Sequence, residues 1–160
     1  MASPRISATL LLSTALLLSA GCGWSPPSAP PPPNITCSAE DSPAGGTVQM
    51  AIDDLGPNWR EVARGHTNNC RLHWVQVSAG DAPAAPQQLL FFDRQRPAGA
   101  ATPEPRPYLT VVGTGEDTVT VQYQWQTPTD APERPTGIGT VDFTLGDDGK
   151  VTPSGPIPGP

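Results

Sequence analysis

The sequence predicts an α+β domain: an N-terminal helix packed on a four- to five-stranded antiparallel meander sheet, closed by one disulfide. Three observations carry this. Apolar residues fall at helical spacing after Gly45-Gly46, runs of alternating apolar and polar residues follow from residue 72 onward, and of three cysteines Cys37 and Cys70 remain as a pair once the first is assigned to the N-terminus.

Residues 47–55 (TVQMAIDDL) place Val48, Ala51, Ile52 and Leu55 on one helical face, with Thr47 available as N-cap and Gly56-Pro57 as the stop. Residues 59–63 read as a second short helical or irregular piece, with Trp59 and Val62 on one face. Leu72, Trp74, Val75 and Val77 mark a strand, and residues 87–93 (QQLLFFD) form a short apolar run that suits a strand buried on both faces. Residues 108–112 are a third candidate. The clearest strand is 117–126 (DTVTVQYQWQ), where Val119, Val121, Tyr123 and Trp125 alternate with Thr120, Gln122 and Gln124. Val141, Phe143 and Leu145 repeat the alternation, and Asp147-Asp148-Gly149 turns the chain into Val151. A Pro- and Ala-rich connection at 97–107 leaves strand register open around 94–107.

The first 22 residues have three parts: one positive charge at Arg5, an apolar run over 6–18, and Ser19-Ala20-Gly21 before Cys22. The apolar run is shorter than the roughly 20 residues that span a bilayer, so it reads as a removable export signal. The stretch Leu18-Ser19-Ala20-Gly21-Cys22 resembles the bacterial lipobox, with its leucine one position further from the cysteine than usual. That resemblance implies diacylglycerol transfer to the Cys22 thiol and cleavage before it. Each buried methylene contributes about 0.8 kcal/mol, so two or three acyl chains on one residue anchor a protein without a membrane helix.

The expected organisation is therefore a signal peptide at 1–21, a lipidated cysteine with a Pro-rich linker at 22–36, one domain at 37–152, and a disordered Pro/Gly-rich tail at 153–160. The linker contains four consecutive prolines, 30–33, and favours an extended polyproline II spacer. The Asn34-Ile35-Thr36 sequon reads as coincidence in a bacterial lipoprotein.

Formal net charge is −6. Removing Arg5 with the signal leaves 8 basic against 15 acidic residues, or −7. Lys150 is the one lysine, and the arginines are scattered, which argues against a nucleic-acid partner and against adsorption to anionic lipid by charge. The expected membrane contact is lipid through acylated Cys22.

With Cys22 acylated, Cys37 and Cys70 form an even pair outside the cytoplasm, where disulfides persist. His66, Cys70 and His73 lie within eight residues, but a tetrahedral metal site needs a fourth ligand and a reduced thiolate, so no metal or other cofactor is expected. Asp53 and Asp54, like Asp147 and Asp148, read as solvated charge. No catalytic residue is expected: there is no Gly-x-Ser-x-Gly, no phosphate-cradling glycine loop and no supported carboxylate pair. Trp74, Phe91, Phe92, Tyr123 and Trp125 read mostly as core, with Gln122, Gln124 and Gln126 on a polar sheet face.

The order of features resembles the LppP/LprE-type actinobacterial lipoprotein family. The matching features are Cys37 before the helix, the Trp59 segment, Cys70 followed by Leu72-His73-Trp74-Val75, then Leu90-Phe91-Phe92-Asp93, and Val119-Thr120-Val121-Gln122-Tyr123. The resemblance runs from about residue 37 to 145 and implies the same address and fold, with no catalytic chemistry to carry over. The resulting expectation is a non-enzymatic, membrane-anchored module of the cell envelope, on the extracytoplasmic face, that binds a protein, glycan or lipid partner. A small envelope enzyme or enzyme inhibitor, and a lipid carrier with an apolar pocket between helix and sheet, are the alternatives.

Overall fold

Val48 and Ile52, four residues apart, bury one face of a helix that begins slightly earlier than its apolar spacing indicates. In the computed structural model, which describes residues 35–131 and 133–159, α1 spans Gly45–Asp53. Thr47 is not its N-cap. The first helical hydrogen bond runs from the Val48 amide to the Ala44 carbonyl at 3.1 Å, which puts extended Ala44 at the cap with no side-chain bond. Among the described residues, no helix is long and apolar enough to cross a membrane. The signal, Cys22 and the linker up to residue 34 lie outside the described residues.

Residues 59–63 do not form a helical piece. They enter β1 (Arg60–His66), which pairs antiparallel with β2 (Leu72–Ser78) from Arg60↔Ser78 to His66↔His73. The sequence REVARGH has weak strand propensity, but tertiary pairing overrides it, and its arginines suit an edge strand by discouraging further pairing. A bulge between Glu61 and Ala63 leaves Val62 about half exposed. Beside β2 lies β3 (Gln87–Asp93), and beside that β4 (Arg96–Ala100), which overlaps the Pro- and Ala-rich connection at 97–107 where the sequence leaves strand register open. Pro97 is tolerated because β4 is an edge, where a missing amide donor costs little.

The single sheet of four or five strands is in fact two four-stranded antiparallel meanders. The second contains β5 (Leu109–Thr114), β6 (Thr118–Trp125), β7 (Gly137–Leu145) and β8 (Val151–Pro153), in chain order. Gly149, at φ 75°, completes the expected turn between β7 and β8, where the Gly146 amide donates to Lys150 O at 2.8 Å.

Three layers result. Between the sheets lie Leu72, Leu89 and Phe91 from the first, and Leu109, Val119, Val121, Tyr123, Val141, Phe143 and Leu145 from the second, all buried. On the far face of the first sheet, Val75, Val77, Leu90 and Phe92 pack against Val48 and Ile52 of α1. The doubly buried strand read from QQLLFFD is β3, covered by the helix on one side and the second sheet on the other.

Polar bonds fix the two sheets to each other. Gln76 Nε2 donates to Leu109 O at 2.9 Å, and the Asn68 and Asn69 amides donate to the Gly115 and Glu116 carbonyls at 2.9 and 3.1 Å. Arg71 pairs with Asp93 at 3.3 Å and donates to Gly146 O at 3.2 Å. Composition marked residues 153–160 as a disordered tail, yet Ile157 packs on the core between the sheets and Arg106 donates to Pro158 O at 3.1 Å. Cys37 and Cys70 form the expected disulfide, with Cα atoms 5.5 Å apart, which pins the segment before α1 to the β1–β2 turn.

Candidate functional site

Two concave sites stand out, and each is lined by a tryptophan whose ring lies across a glycine on the neighbouring strand. Gly65 pairs with Trp74, and Gly137 with Trp125. A Cβ at either glycine would run into the indole. Glycine at these positions thus lets a tryptophan lie down over its own sheet, a role invisible until register is known.

The first site has a volume of about 260 Å³ and is lined by Ser42, Pro43, Arg64, Gly65, His66, His73, Trp74 and Val75. Arg64 is held by a two-pronged pair with Glu61. His66 Nδ1 lies 3.0 Å from Thr67 O and His73 Nε2 lies 3.1 Å from Cys70 O, with the ring centroids 5.6 Å apart. Burial holds the His73 pKa below its usual value. The Cys37–Cys70 disulfide lies beside this site: one ring nitrogen of His66 and both sulfurs lie within 4.8 Å of one another.

The second site, about 240 Å³, is lined by Arg106, Pro107, Tyr108, Tyr123, Gln124, Trp125 and Gln126. Trp125 is half-buried, and close packing of Gly159 on its ring holds it in place. A third, charged concavity is formed by Glu40, Asp93, Arg94, Gln95 and Arg96, where Arg94 pairs with Asp41 at 3.2 Å and Gln95 Nε2 donates to Glu40 O at 2.9 Å.

Among the described residues, Trp74 Nε1 and Tyr123 Oη are the buried side-chain polar atoms without a hydrogen-bond partner, and each belongs to a residue lining one of the first two sites. Burial pushes the Tyr123 pKa up to about 12, against a smaller opposing pull from Arg106. Because this is above the ordinary value near 10, the contribution of the protonated phenol is complete below about pH 10 and is lost as pH rises through about 12. Tyr123→Phe is expected to abolish that alkaline dependence. At neutral pH it should be neutral or stabilising by about 1 kcal/mol, since an unpaired buried hydroxyl is itself a cost. Denaturant midpoints measured from neutral to alkaline pH check this, and a clear loss of stability at neutral pH would count against it.

The other residues singled out from sequence have structural surroundings. Asp53 accepts from Gln49 Nε2 at 2.7 Å on the helix surface, and Asp54 is its exposed C-cap. Asp148 accepts the Lys150 amide at 3.1 Å within the β7–β8 turn, and Asp147 stands 3.8 Å from Arg71. Phe91, Phe92 and Tyr123 are core, whereas Trp74 and Trp125 are only partly buried. The space between helix and sheet, where a carrier would hold a lipid chain, is filled by Val48, Ile52, Val75, Val77, Leu90 and Phe92. Sequence reasoning passed over Arg64 and Arg106, which stand at the two sites. It also passed over Asp130, whose carboxylate accepts the Thr127 and Thr136 amides at 2.7 and 2.8 Å and is thereby held at a pKa of about 2.

The family described as LppP/LprE lipoprotein matches residues 64–148, from late β1 into the β7–β8 turn. The chain is 52% identical over 144 residues to the protein named "Putative lipoprotein LppP" in Mycobacterium tuberculosis (strain ATCC 25618 / H37Rv), and equally to that of Mycobacterium bovis (strain ATCC BAA-935 / AF2122/97), covering 86% of this chain and 82% of each relative. No solved structure matches. With the family match spanning most of both sheets and the relatives most of the chain, the protein belongs to the LppP/LprE lipoprotein family.

Proposed function

We propose that this chain is a cell-envelope lipoprotein, acylated on Cys22 and anchored on the extracytoplasmic face, whose domain is a non-catalytic binding module taking a glycan at the site beside Trp125. The observation that carries the glycan reading is the lining of that site. It combines the guanidinium of Arg106 and the amide of Gln124 with the flat apolar surfaces of Pro107 and Tyr108. Saccharides present hydroxyls on their edges and C–H groups on their faces, so they need both kinds of surface at once. A volume of about 240 Å³ lies below the range typical of drug-sized ligands and suits a single sugar unit. None of the lining residues is a serine, cysteine, histidine or carboxylate, the usual nucleophiles and bases. Lipoprotein family membership supports the anchor, and the Pro-rich composition of the sequence after Cys22 suits a spacer between membrane and domain.

Two measurements test the two halves. In the native host, Cys22→Ser should abolish fatty-acid labelling and shift the protein from the membrane to the soluble fraction; retention of either property removes the anchor. For the domain, titration with soluble fragments of envelope polysaccharide should change tryptophan fluorescence, and Arg106→Ala should weaken binding by about tenfold, the loss of one charged hydrogen bond. Unchanged fluorescence and no heat of binding with every fragment would sink the glycan reading and leave the anchor standing.

A further inference from the structure

We propose that the Cys37–Cys70 disulfide conceals a soft-metal site: in the reduced protein, both thiolates and the imidazole of His66 close on one Zn(II) or Cu(I) ion, and oxidation releases it. The inference does not depend on the glycan site, which lies elsewhere in the domain.

Geometry supplies the ligands. A ring nitrogen of His66 and the two sulfurs already lie within 4.8 Å of one another. Zinc–sulfur and zinc–nitrogen bonds of about 2.3 and 2.0–2.1 Å place ligand atoms roughly 3.5–4 Å apart, so the imidazole needs to move about 1 Å and the two sulfurs, bonded to each other in the oxidised protein, must turn apart to the same spacing. With Nδ1–H donating to Thr67 O at 3.0 Å, the lone pair of His66 is left on Nε2. Metal-binding histidines are commonly oriented in this way, by a bond from the second ring nitrogen to a backbone carbonyl. Two thiolates and one imidazole favour soft or borderline cations over calcium or magnesium. His66 also lines the site of about 260 Å³, which gives an ion a route in and leaves room for a water or further ligand.

Bonds other than the sulfur–sulfur link also hold the framework around these residues. Cys70 sits at φ 57°, a conformation few non-glycine residues adopt, in a turn fixed by other bonds. Its amide donates to Thr67 O at 3.0 Å, the Thr67 amide to Leu72 O at 2.9 Å, and the Arg71 amide to Asn69 Oδ1 at 3.0 Å. On the other arm, Asp41 pairs with Arg94 at 3.2 Å and Glu40 O accepts from Gln95, holding the segment that follows Cys37. Both thiols therefore stay near His66 after reduction. The spacing of His66, Cys70 and His73 had drawn attention to a possible metal site from sequence, but folding substitutes Cys37 for His73, whose Nε2 is engaged with Cys70 O.

The redox step balances with a dithiol as reductant, and the release step with a small-molecule disulfide as oxidant, which takes up the two electrons and leaves as two thiols while the metal ion is freed. Two electrons and two protons pass to the disulfide, giving two thiols on this chain and a disulfide on the donor. Metal binding then displaces the two thiol protons.

The test uses the purified mature chain, oxidised or reduced with a water-soluble phosphine under anaerobic conditions, and titrated separately with Zn(II) and Cu(I) against a chromogenic chelator. One equivalent of at least one ion should bind the reduced protein and none the oxidised. His66→Gln leaves both cysteines in place and should weaken binding by at least about tenfold, while His73→Gln should leave it within about threefold. Circular dichroism should show the reduced chain folded. The proposal is overturned by the absence of a stoichiometric site for either ion, by equal binding in His66→Gln, or by a reduced chain that has lost its strand signal.

Discussion

Phe91→Ala is expected to destabilise the fold by about 3–5 kcal/mol, the usual cost of deleting a fully buried aromatic ring from a core. Phe91 is 1% exposed in the middle strand pair of the first sheet, and its ring meets Phe143 of the second sheet at a centroid distance of 5.2 Å. Its removal empties the centre of the layer that joins the two sheets, and the neighbouring Leu72, Leu89, Val121 and Phe143 are held by their own strands and cannot collapse into the space. Val62→Ala, at a half-exposed edge position, provides the contrast and should change stability by no more than about 0.5 kcal/mol. Urea unfolding gives the measurement: the midpoint of Phe91→Ala should fall sharply at an unchanged slope. A loss under about 1 kcal/mol would mean that the sheets are not joined through this ring.

Replacing both cysteines of the domain, Cys37→Ser with Cys70→Ser, is expected to cost about 3–4 kcal/mol. The bond joins residues 33 apart in sequence, and on the chain-entropy account closing such a loop restricts the unfolded chain by that amount. The segment it ties down carries α1, and α1 covers Val75, Val77, Leu90 and Phe92 on the outer face of the first sheet. Helix docking and the disulfide should therefore weaken together. Amide exchange would show this as faster exchange in α1, with β6 and β7 losing protection only through global unfolding. If the double variant unfolded at the same urea concentration as the parent, the disulfide would contribute nothing to the folded state. Against a typical total stability of about 5–15 kcal/mol, the expected loss leaves most such domains folded, which is the condition the reduced metal-binding form requires.

Much of the strand layout was legible because alternation is a local property. Val119, Val121 and Tyr123 announce β6, Val141, Phe143 and Leu145 announce β7, and the unbroken apolar run in β3 announces burial on both sides. The same logic failed at β1 and β4. REVARGH is rich in charge and RPAGA contains proline and glycine, so neither carries a strand signal of its own; both exist because a central strand offers them a hydrogen-bonding edge. With β1 and β4 overlooked, the strands that remained read as one meander rather than two sheets. The candidate sites were less legible still. Arg106 belongs to an irregular connection, and its nearness to Tyr123 and Trp125 follows from sheet packing alone. The glycines opposite Trp74 and Trp125 acquire meaning only from cross-strand register.

By itself the sequence carried the expectation of an export signal before a lipobox-like Cys22, and it determined an acidic composition, a pair of cysteines suited to each other, one amphipathic helix and the strongest strands. These depend on composition, short spacing and periodicity, which survive in a linear string. Only the tertiary structure decided that the strands divide into two packed sheets, that the C-terminal segment lies against the core, and that His66 stands beside the disulfide in place of His73. The physical reason is that edge pairing, face-to-face packing and ligand convergence are contacts between residues distant in sequence, and their energies are set by what the fold brings alongside.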